Sequence, residues 1–511
     1  MKSAFIAIEI VACAASVTPV AAQDDSSSGC QIQNLFDPAW DVIELGLGVA
    51  AGGGRLAVGV PADFDVPSRM AAFLFAQHAG VWQREQVISG SDAAPGDFFG
   101  RSVALDGDTL LVGAPSTIND PEIEGALFVF ERQPDGNWLE TAKLRGGNFD
   151  FDPTRIEQFA WSLAIDGDTI VAGTPNDIVN GARSGSAYVF ERDPNVGWRR
   201  AARLLATDAS GLDKFGESVA VAGDLIVVGA PQDDPLGFAS GSAYVFERDV
   251  NGRWLQCAKL IPGDHGRFDE FGSAVAVDAG RTILVGARHA PSADVSPGAV
   301  YAFEPDGLGT WREIQKLTPP NGENSDFFGI SVALGGTLAL FGAENYGNTF
   351  FGFGAAFVYV QQPDRTWTPA GILMPADRQD NSKFGRTVSI NGNIAVVGAP
   401  FHDREANDGS NAGDAYIFAV GPDRDDNGVM DVCECRGAVG GDPGPGGEAP
   451  GFVASPDLDI DKRVGLGDLV ILLNHFGDTG VLHEAGDLDL DRDVDLQDLA
   501  LLLAAYDKPC E

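Results

Sequence analysis

The chain has 511 residues, with 34 lysines and arginines against 74 aspartates and glutamates, for a formal charge of −40. That imbalance argues against nucleic acid or an anionic membrane as a partner, because both would be repelled. It suits a soluble secreted protein, and it allows cation sites wherever the carboxylates cluster.

The N-terminus, Met1-Lys2 followed by the apolar run Ala4–Val20 and Ala21-Ala22, reads as a secretory signal peptide over residues 1–22. Ile10-Val-Ala-Cys13 also fits a lipoprotein cleavage box, which would acylate Cys13. Either route leads to a secreted or cell-surface protein. No later segment is long and apolar enough to be expected to span a bilayer.

One phrase then recurs seven times: Phe-Gly, a short apolar strand, and a second strand ending in Gly-Ala-Pro. It reads Phe99-Gly100…Gly113-Ala114-Pro115, Phe215-Gly216…Gly229-Ala230-Pro231 and Phe384-Gly385…Gly398-Ala399-Pro400. Looser copies stand at Phe159-Ala160, Phe271-Gly272 and Phe328-Gly329, and the first is read at Leu47-Gly48…Gly59-Val60-Pro61. A repeat of this length, built from strands without a helical pattern, marks a radial or solenoid array. Each unit holds four strand-like pieces, such as Ser102–Leu105, Thr109–Val112, Ala126–Phe130 and Trp138–Leu144. The first two are joined by Asp106-Gly107-Asp108, a tight-hairpin signal repeated at Asp166-Gly167-Asp168 and Asn391-Gly392-Asn393. Seven four-stranded antiparallel units predict an all-β seven-bladed β-propeller over residues 23–421, an architecture that leaves few free sheet edges.

Trp82, Trp138, Trp198, Trp254, Trp311 and Trp367 open the fourth strands, and the last repeat has no such strand after it. Trp40-Asp-Val-Ile-Glu-Leu45 precedes the first repeat and is therefore expected to complete the seventh blade and close the ring. The loops following each Gly-Ala-Pro (116–124, 232–240 and 401–412) are expected to share one face with the Phe-Gly turns. Their varied polar sequences suit recognition.

Beyond the ring, residues 422–436 carry Asp423, Asp425, Asn427 and Asp431 at calcium-loop spacing, with Gly428 at the turn. Residues 437–456 form a Gly/Pro-rich linker unable to bury a core. Residues 457–508 contain one pattern twice: Asp457, Asp459, Asp461 and Asp468, then Asp487, Asp489, Asp491 and Asp498. These are positions 1, 3, 5 and 12 of a calcium loop, with a backbone carbonyl expected at position 7. Each loop leads into an apolar run at helical period, Leu469–Phe476 and Leu499–Tyr506. Ca2+ is the cofactor this spacing implies.

After cleavage at Ala22, five cysteines remain. Closure at the seventh blade would bring Cys30 toward Cys433 and Cys435, with Cys510 as a further partner and Cys257 left buried in a strand. The pairing itself cannot be read from sequence. The six histidines form no His-Glu-x-x-His motif, and neither Gly-x-Ser-x-Gly nor a phosphate-binding glycine loop is present. The sequence thus offers no catalytic constellation.

The repeats resemble the FG-GAP family, known from the N-terminal propeller of integrin α chains and from bacterial secreted proteins. That resemblance implies a propeller presenting a ligand-binding face. Several integrin-type repeats carry an acidic calcium loop between the first two strands, where this chain has only short turns such as Asp106-Gly107-Asp108. The blades are therefore expected to be calcium-free. The segment at Asp423 resembles a thrombospondin type 3 calcium repeat.

The C-terminal piece is similar to a type I dockerin, a calcium-folded module that binds cohesin domains. This resemblance implies, as ligands, Asp457, Asp459, Asp461, the Arg463 carbonyl, Gly465 through water and Asp468. The second set is Asp487, Asp489, Asp491, the Asp493 carbonyl, Asp495 and Asp498. Lys462 and Arg492 replace the usual glycine, and Gly465 replaces a polar side chain, so the first loop should bind more weakly.

The function expected is recognition or adhesion, the propeller binding a protein or glycan and the C-terminal module providing attachment, with cohesin a conceivable partner. The competing reading is a polysaccharide-degrading enzyme or an accessory subunit of a cellulosome-like assembly. Chelation of calcium should unfold residues 455–506 and leave the propeller's melting transition in place. Differential scanning calorimetry with and without chelator checks this, and loss of the propeller transition would contradict the calcium-free blades.

Overall fold

A computed structural model describes residues 30–35, 45–61, 70–78, 81–94, 96–115, 125–146, 158–264, 266–292, 295–307, 309–347, 352–403 and 412–421. Within them, seven four-stranded antiparallel sheets follow one another around a ring. Blade one runs through Val49–Gly52, Arg55–Val60, Ala71–His78 and Val81–Ile88. Blade two repeats the order with Ser102–Asp106, Thr109–Ala114, Ala126–Arg132 and Trp138–Leu144. Blades three, four, five and six begin at Ser162–Asp166, Ser218–Ala222, Phe271–Val277 and Phe328–Gly335. The seventh has only three strands in sequence: Thr387–Asn391, Ile394–Ala399 and Asp414–Ala419.

The Phe-Gly phrase acts at the blade boundaries. Phe99, Phe215, Phe271, Phe328 and Phe384 are fully buried. Each meets the third strand of its blade edge-on, as in Phe99 against Phe128 at 5.1 Å and Phe215 against Tyr244 at 5.3 Å between ring centroids. The following glycine brings its carbonyl onto the second-strand glycine of the preceding blade. A Cβ at Gly229 would lie 2.0 Å from the Gly272 oxygen, and one at Gly342 would lie 1.9 Å from the Gly385 oxygen. A first-strand hydroxyl donates to the same carbonyl, Ser218 Oγ to Gly272 at 2.9 Å and Ser331 Oγ to Gly385 at 2.8 Å. The Asp-Gly hairpin turns also join blades, since Asp106 accepts from the Gly167 amide at 2.7 Å and Asp166 from that of Gly223 at 2.5 Å.

The same contacts correct the first repeat. Thr387 Oγ1 donates to Gly46 O, a Cβ at Gly398 would lie 2.1 Å from that oxygen, and Leu45 pairs with Gly413 as Phe271 pairs with Gly241. Leu45-Gly46 is therefore the Phe-Gly equivalent, two residues before the Leu47-Gly48 expected from sequence.

An N-terminal strand does close the ring, but it is Cys30–Asn34, antiparallel to Asp414–Ala419. The Trp40 segment lies outside the described residues. Leu35, buried and donating its amide to Ala415 O at 2.8 Å, stands where Leu144 and Leu260 end their strands. Gln33 seals the seam with blade one: its side-chain nitrogen donates to Trp82 O at 2.8 Å, and its oxygen accepts from the Trp82 amide at 2.9 Å. Gln86 clasps Trp138 and Gln315 clasps Trp367 in the same way. Closure thus depends on a glutamine two residues before a strand-ending leucine or isoleucine, and a tryptophan in the closing strand is not required.

Cys257 also departs from expectation. It sits on the strand Trp254–Leu260 but is exposed, because a fourth strand presents alternate side chains to solvent.

Removing residues 30–35 should abolish cooperative unfolding of the ring. Gln33→Ala should cost about 1–3 kcal/mol, from two lost hydrogen bonds and the groups left behind. Denaturant titration measures both, and a truncated chain that melts like the parent would contradict closure by this strand.

Candidate functional site

All seven first strands begin around one mouth. The residue after each Phe-Gly equivalent lines it: Leu47, Arg101, Trp161, Glu217, Ser273, Ile330 and Arg386, all half-buried. They enclose a cavity of about 310 Å3. The side chains are fixed to one another. The Arg101 guanidinium lies 3.6 Å from the Trp161 ring centroid, and Trp161 Nε1 donates to Glu217 Oε1 at 3.2 Å. Arg386 Nη1 donates to Glu344 Oε2 at 2.7 Å, and Arg288 pairs with Glu270. Arg288 and Glu344 occupy the place of proline in the two repeats whose second strand is not followed by one. The mouth is therefore a belt of cation–carboxylate pairs and one indole in an otherwise acidic protein.

Around the mouth stand the turns that lead into each Phe-Gly. Residues three and one before the phenylalanine adopt left-handed backbone: Leu212 and Lys214, Phe268 and Glu270, Ser325 and Phe327, Asn381 and Lys383. The residue between them is an aspartate in the first three and Ser382 in the last. Asp97, between left-handed Gly96 and Phe98, makes a fourth aspartate turn, and each aspartate accepts an amide hydrogen bond from three positions earlier. The bonds are Ala94 to Asp97 at 2.8 Å, Ser210 to Asp213 at 2.6 Å, Gly266 to Asp269 at 2.5 Å and Glu323 to Asp326 at 2.6 Å. Such side-chain-to-backbone bonds hold a left-handed turn that bulky residues would otherwise avoid. The turns consequently push Leu212 and Phe268 outward, 64% and 53% exposed. Leu236 and Phe238 of the neighbouring loop 232–240 are 67% and 59% exposed.

Phe238 and Phe268 touch edge-on at 5.4 Å, with the Phe268 amide donating to Phe238 O and the Arg267 guanidinium 5.5 Å from the Phe268 ring centroid. Beside them lies an open depression of about 610 Å3 lined by Arg267, Phe268, Glu270, His289 and Pro291. Burial lowers the His289 pKa below its ordinary value, against the opposing pull of Glu270.

The loop 232–240 does share its face with the Phe-Gly turns, as expected: Gln232 donates its amide to Asp213 O, and Phe268 reaches Phe238. Residues 116–124 and 404–411 of the other two loops lie outside the described residues. So do the calcium-loop positions from Asp423 to Asp498 and Cys433, Cys435 and Cys510, while of Cys30 only the backbone is described. The mouth residues and the Phe238–Phe268 pair were not singled out by sequence reasoning. The available signal was departure from the repeat: Trp161 after an Ala-for-Gly copy, and Arg288 and Glu344 in place of proline.

The fold and mouth together define a seven-bladed β-propeller whose blades surround a central mouth. Segments 82–130, 138–190, 198–246, 254–303, 311–359 and 367–418, more than half of the chain, match the FG-GAP repeat family. The chain belongs to that family. Each matched segment runs from the fourth strand of one blade through the third strand of the next; the seventh such unit is the continuous stretch 30–78, and the blade divided between the two ends of the chain is the seventh. No curated protein matches. A crystal structure of a protein from Lactobacillus plantarum aligns with a TM-score of 0.40 and 11% identity, over 64% of this chain and 84% of that one.

Burial pushes the Asp213 and Asp326 carboxyls up to about 6 from an ordinary 3.8, with Asp233 adding to the effect at Asp213. The folded chain therefore binds more protons than the unfolded chain between these values, and stability should rise as pH falls through about 6. The urea midpoint is expected to be higher at about pH 5 than at about pH 7. An Asp213→Asn/Asp326→Asn chain should lose part of that gain, and an unchanged pH dependence would remove these two groups as its source.

Proposed function

We propose that this is a secreted or cell-surface recognition protein whose propeller binds a protein partner on the face formed by the Phe-Gly turns and Gly-Ala-Pro loops. The observation that carries this reading is the exposed Phe238–Phe268 pair beside an open depression. Exposed aromatics next to a concavity are costly to leave in water and are the side chains that anchor protein interfaces. Arg267 and the paired charges of the mouth would form the polar surround.

In the same reading the signal peptide exports the chain, and the C-terminal acidic loops bind Ca2+ and serve attachment or assembly. The spacing of Asp457–Asp468 and Asp487–Asp498 supports that second role.

The test is binding of the full chain to an immobilised panel of extracellular proteins and polysaccharides, with release of reducing ends assayed on every polysaccharide. A protein on the panel should bind, and Phe238→Ala/Phe268→Ala should weaken that binding at least about 10-fold, the loss expected of anchor residues. Both side chains are exposed, so the melting temperature should stay close to that of the parent. Equal binding by the double variant would overturn the site. Turnover of a polysaccharide would overturn the recognition reading in favour of an enzyme.

A further inference from the structure

Blades two to four contain a recurring polar cluster between the end of one blade and the outer strands of the next, and each copy holds its own cation. Asp92 pairs with Lys143. In blade three, buried Asp177 accepts from Tyr188 OH at 3.0 Å and Arg203 Nη2 at 2.6 Å. In blade four, Tyr244 OH donates to Asp208 and Asp233, and Lys259 pairs with both. The lysine or arginine always lies opposite the third-strand aromatic, as in Tyr188↔Arg203 and Tyr244↔Lys259. Blade five keeps the arrangement with Tyr301, Lys316 and Asp264.

Blade seven keeps the tyrosine, Tyr416, and one aspartate, Asp377, and changes the rest of this cluster. Its fourth strand comes from the N-terminus, and the residue opposite Tyr416 is the neutral Asn34. His402 stands where blades three and four have Asp177 and Asp233, each donating its amide three residues back, to Ala399, Thr174 and Ala230 respectively. Asp414 replaces Ser186 and Ser242 at the start of the third strand. Asp377 corresponds to Asp208 and Asp264, four residues beyond the strand-ending leucine. One ligand atom from each of Asp377, His402 and Asp414 lies within 4.8 Å of the other two.

The hydrogen bonding of His402 points to what fills the centre. The side chain is only 8% exposed. Its Nε2 lies 3.2 Å from the Asp377 main-chain oxygen, where it can only donate. Nδ1 then presents a lone pair, has no hydrogen-bond partner, and faces Asp414 Oδ2 at 3.5 Å. A lone pair turned toward a carboxylate oxygen in a buried site favours a cation between them. A second buried acceptor, Asn34 Oδ1, also lacks a partner, while Asn34 Nδ2 donates to Asp414 Oδ2 at 3.2 Å. An imidazole whose other nitrogen donates to a backbone carbonyl is the usual arrangement of a metal-binding histidine.

We propose that Asp377, His402 and Asp414, with the side-chain oxygen of Asn34, form a site for a divalent transition ion of the Zn2+ class. One imidazole nitrogen with carboxylate oxygens suits zinc, whereas calcium takes oxygen ligands alone. The ion would supply the charge that Lys143, Arg203, Lys259 and Lys316 supply elsewhere, and it would tie the closing N-terminal strand to the seventh blade.

The test uses the full chain in millimolar Ca2+, which occupies calcium-type sites, titrated with Zn2+ by calorimetry and followed by thermal unfolding. The parent should bind one zinc that is lost or weakened at least about 10-fold in His402→Asn and in Asp377→Asn. Zinc should raise the parent's melting temperature and leave both variants unmoved. Asp377 is exposed, so its variant decides the matter even where His402→Asn fails to fold. No zinc-dependent shift in the parent, or the same isotherm in parent and Asp377→Asn, would overturn the site.

Discussion

The ring depends on one close approach made at every blade boundary. A second-strand glycine lies so near the carbonyl of the next blade's Phe-Gly that any Cβ would overlap it, with separations of 1.8 Å at Gly59 and 2.1 Å at Gly173. Close backbone contact of this kind leaves no room for an L side chain. It fixes the angle between neighbouring blades, and at five of the boundaries a first-strand hydroxyl keeps the carbonyl satisfied within the interface. The phenylalanine before it fills the space between third strands, so one dipeptide sets both the spacing and the packing. Gly398 against Gly46 makes the seventh contact, and with it the array becomes a closed ring.

A scaffold held by so few positions leaves others free to vary, and the chemistry collects at those. The residue after Phe-Gly takes six identities in seven copies, with arginine alone used twice, giving a mouth with an indole, two guanidiniums, a carboxylate and apolar edges. Where proline is dispensable, Arg288 and Glu344 join it. The left-handed turns extend the same logic: a buried aspartate holds the backbone, and the neighbouring position projects Leu212 or Phe268 into solvent. At the seventh blade, borrowing a strand from the other end of the chain substitutes Asn34 for a cation and alters the polar cluster there.

Much of the architecture was legible in the repeated phrase, because its periodicity reports a contact made seven times. The Asp-Gly hairpins and the face carrying loop 232–240 followed from local turn chemistry. The first copy was read two residues late because Leu47-Gly48 and Leu45-Gly46 look alike in sequence, and only the pairing of Leu45 with Gly413 distinguishes them. Tryptophan misled the assignment of the closing strand. It marks fourth strands well, but the seam needs Gln33 and Leu35, which satisfy the backbone and core without an indole.

The sequence by itself determined the number of blades, their four-stranded construction and the identity of the boundary residues in six of the seven copies, since each is encoded locally and repeated. Only the tertiary structure decided which N-terminal residues close the ring, which side chains meet at the mouth, and that Asp377, His402, Asp414 and Asn34 come together. The reason is distance along the chain. Asn34 reaches Asp414 across 380 residues, and Leu47 and Arg386 share a cavity only because seven blade angles sum to a full turn.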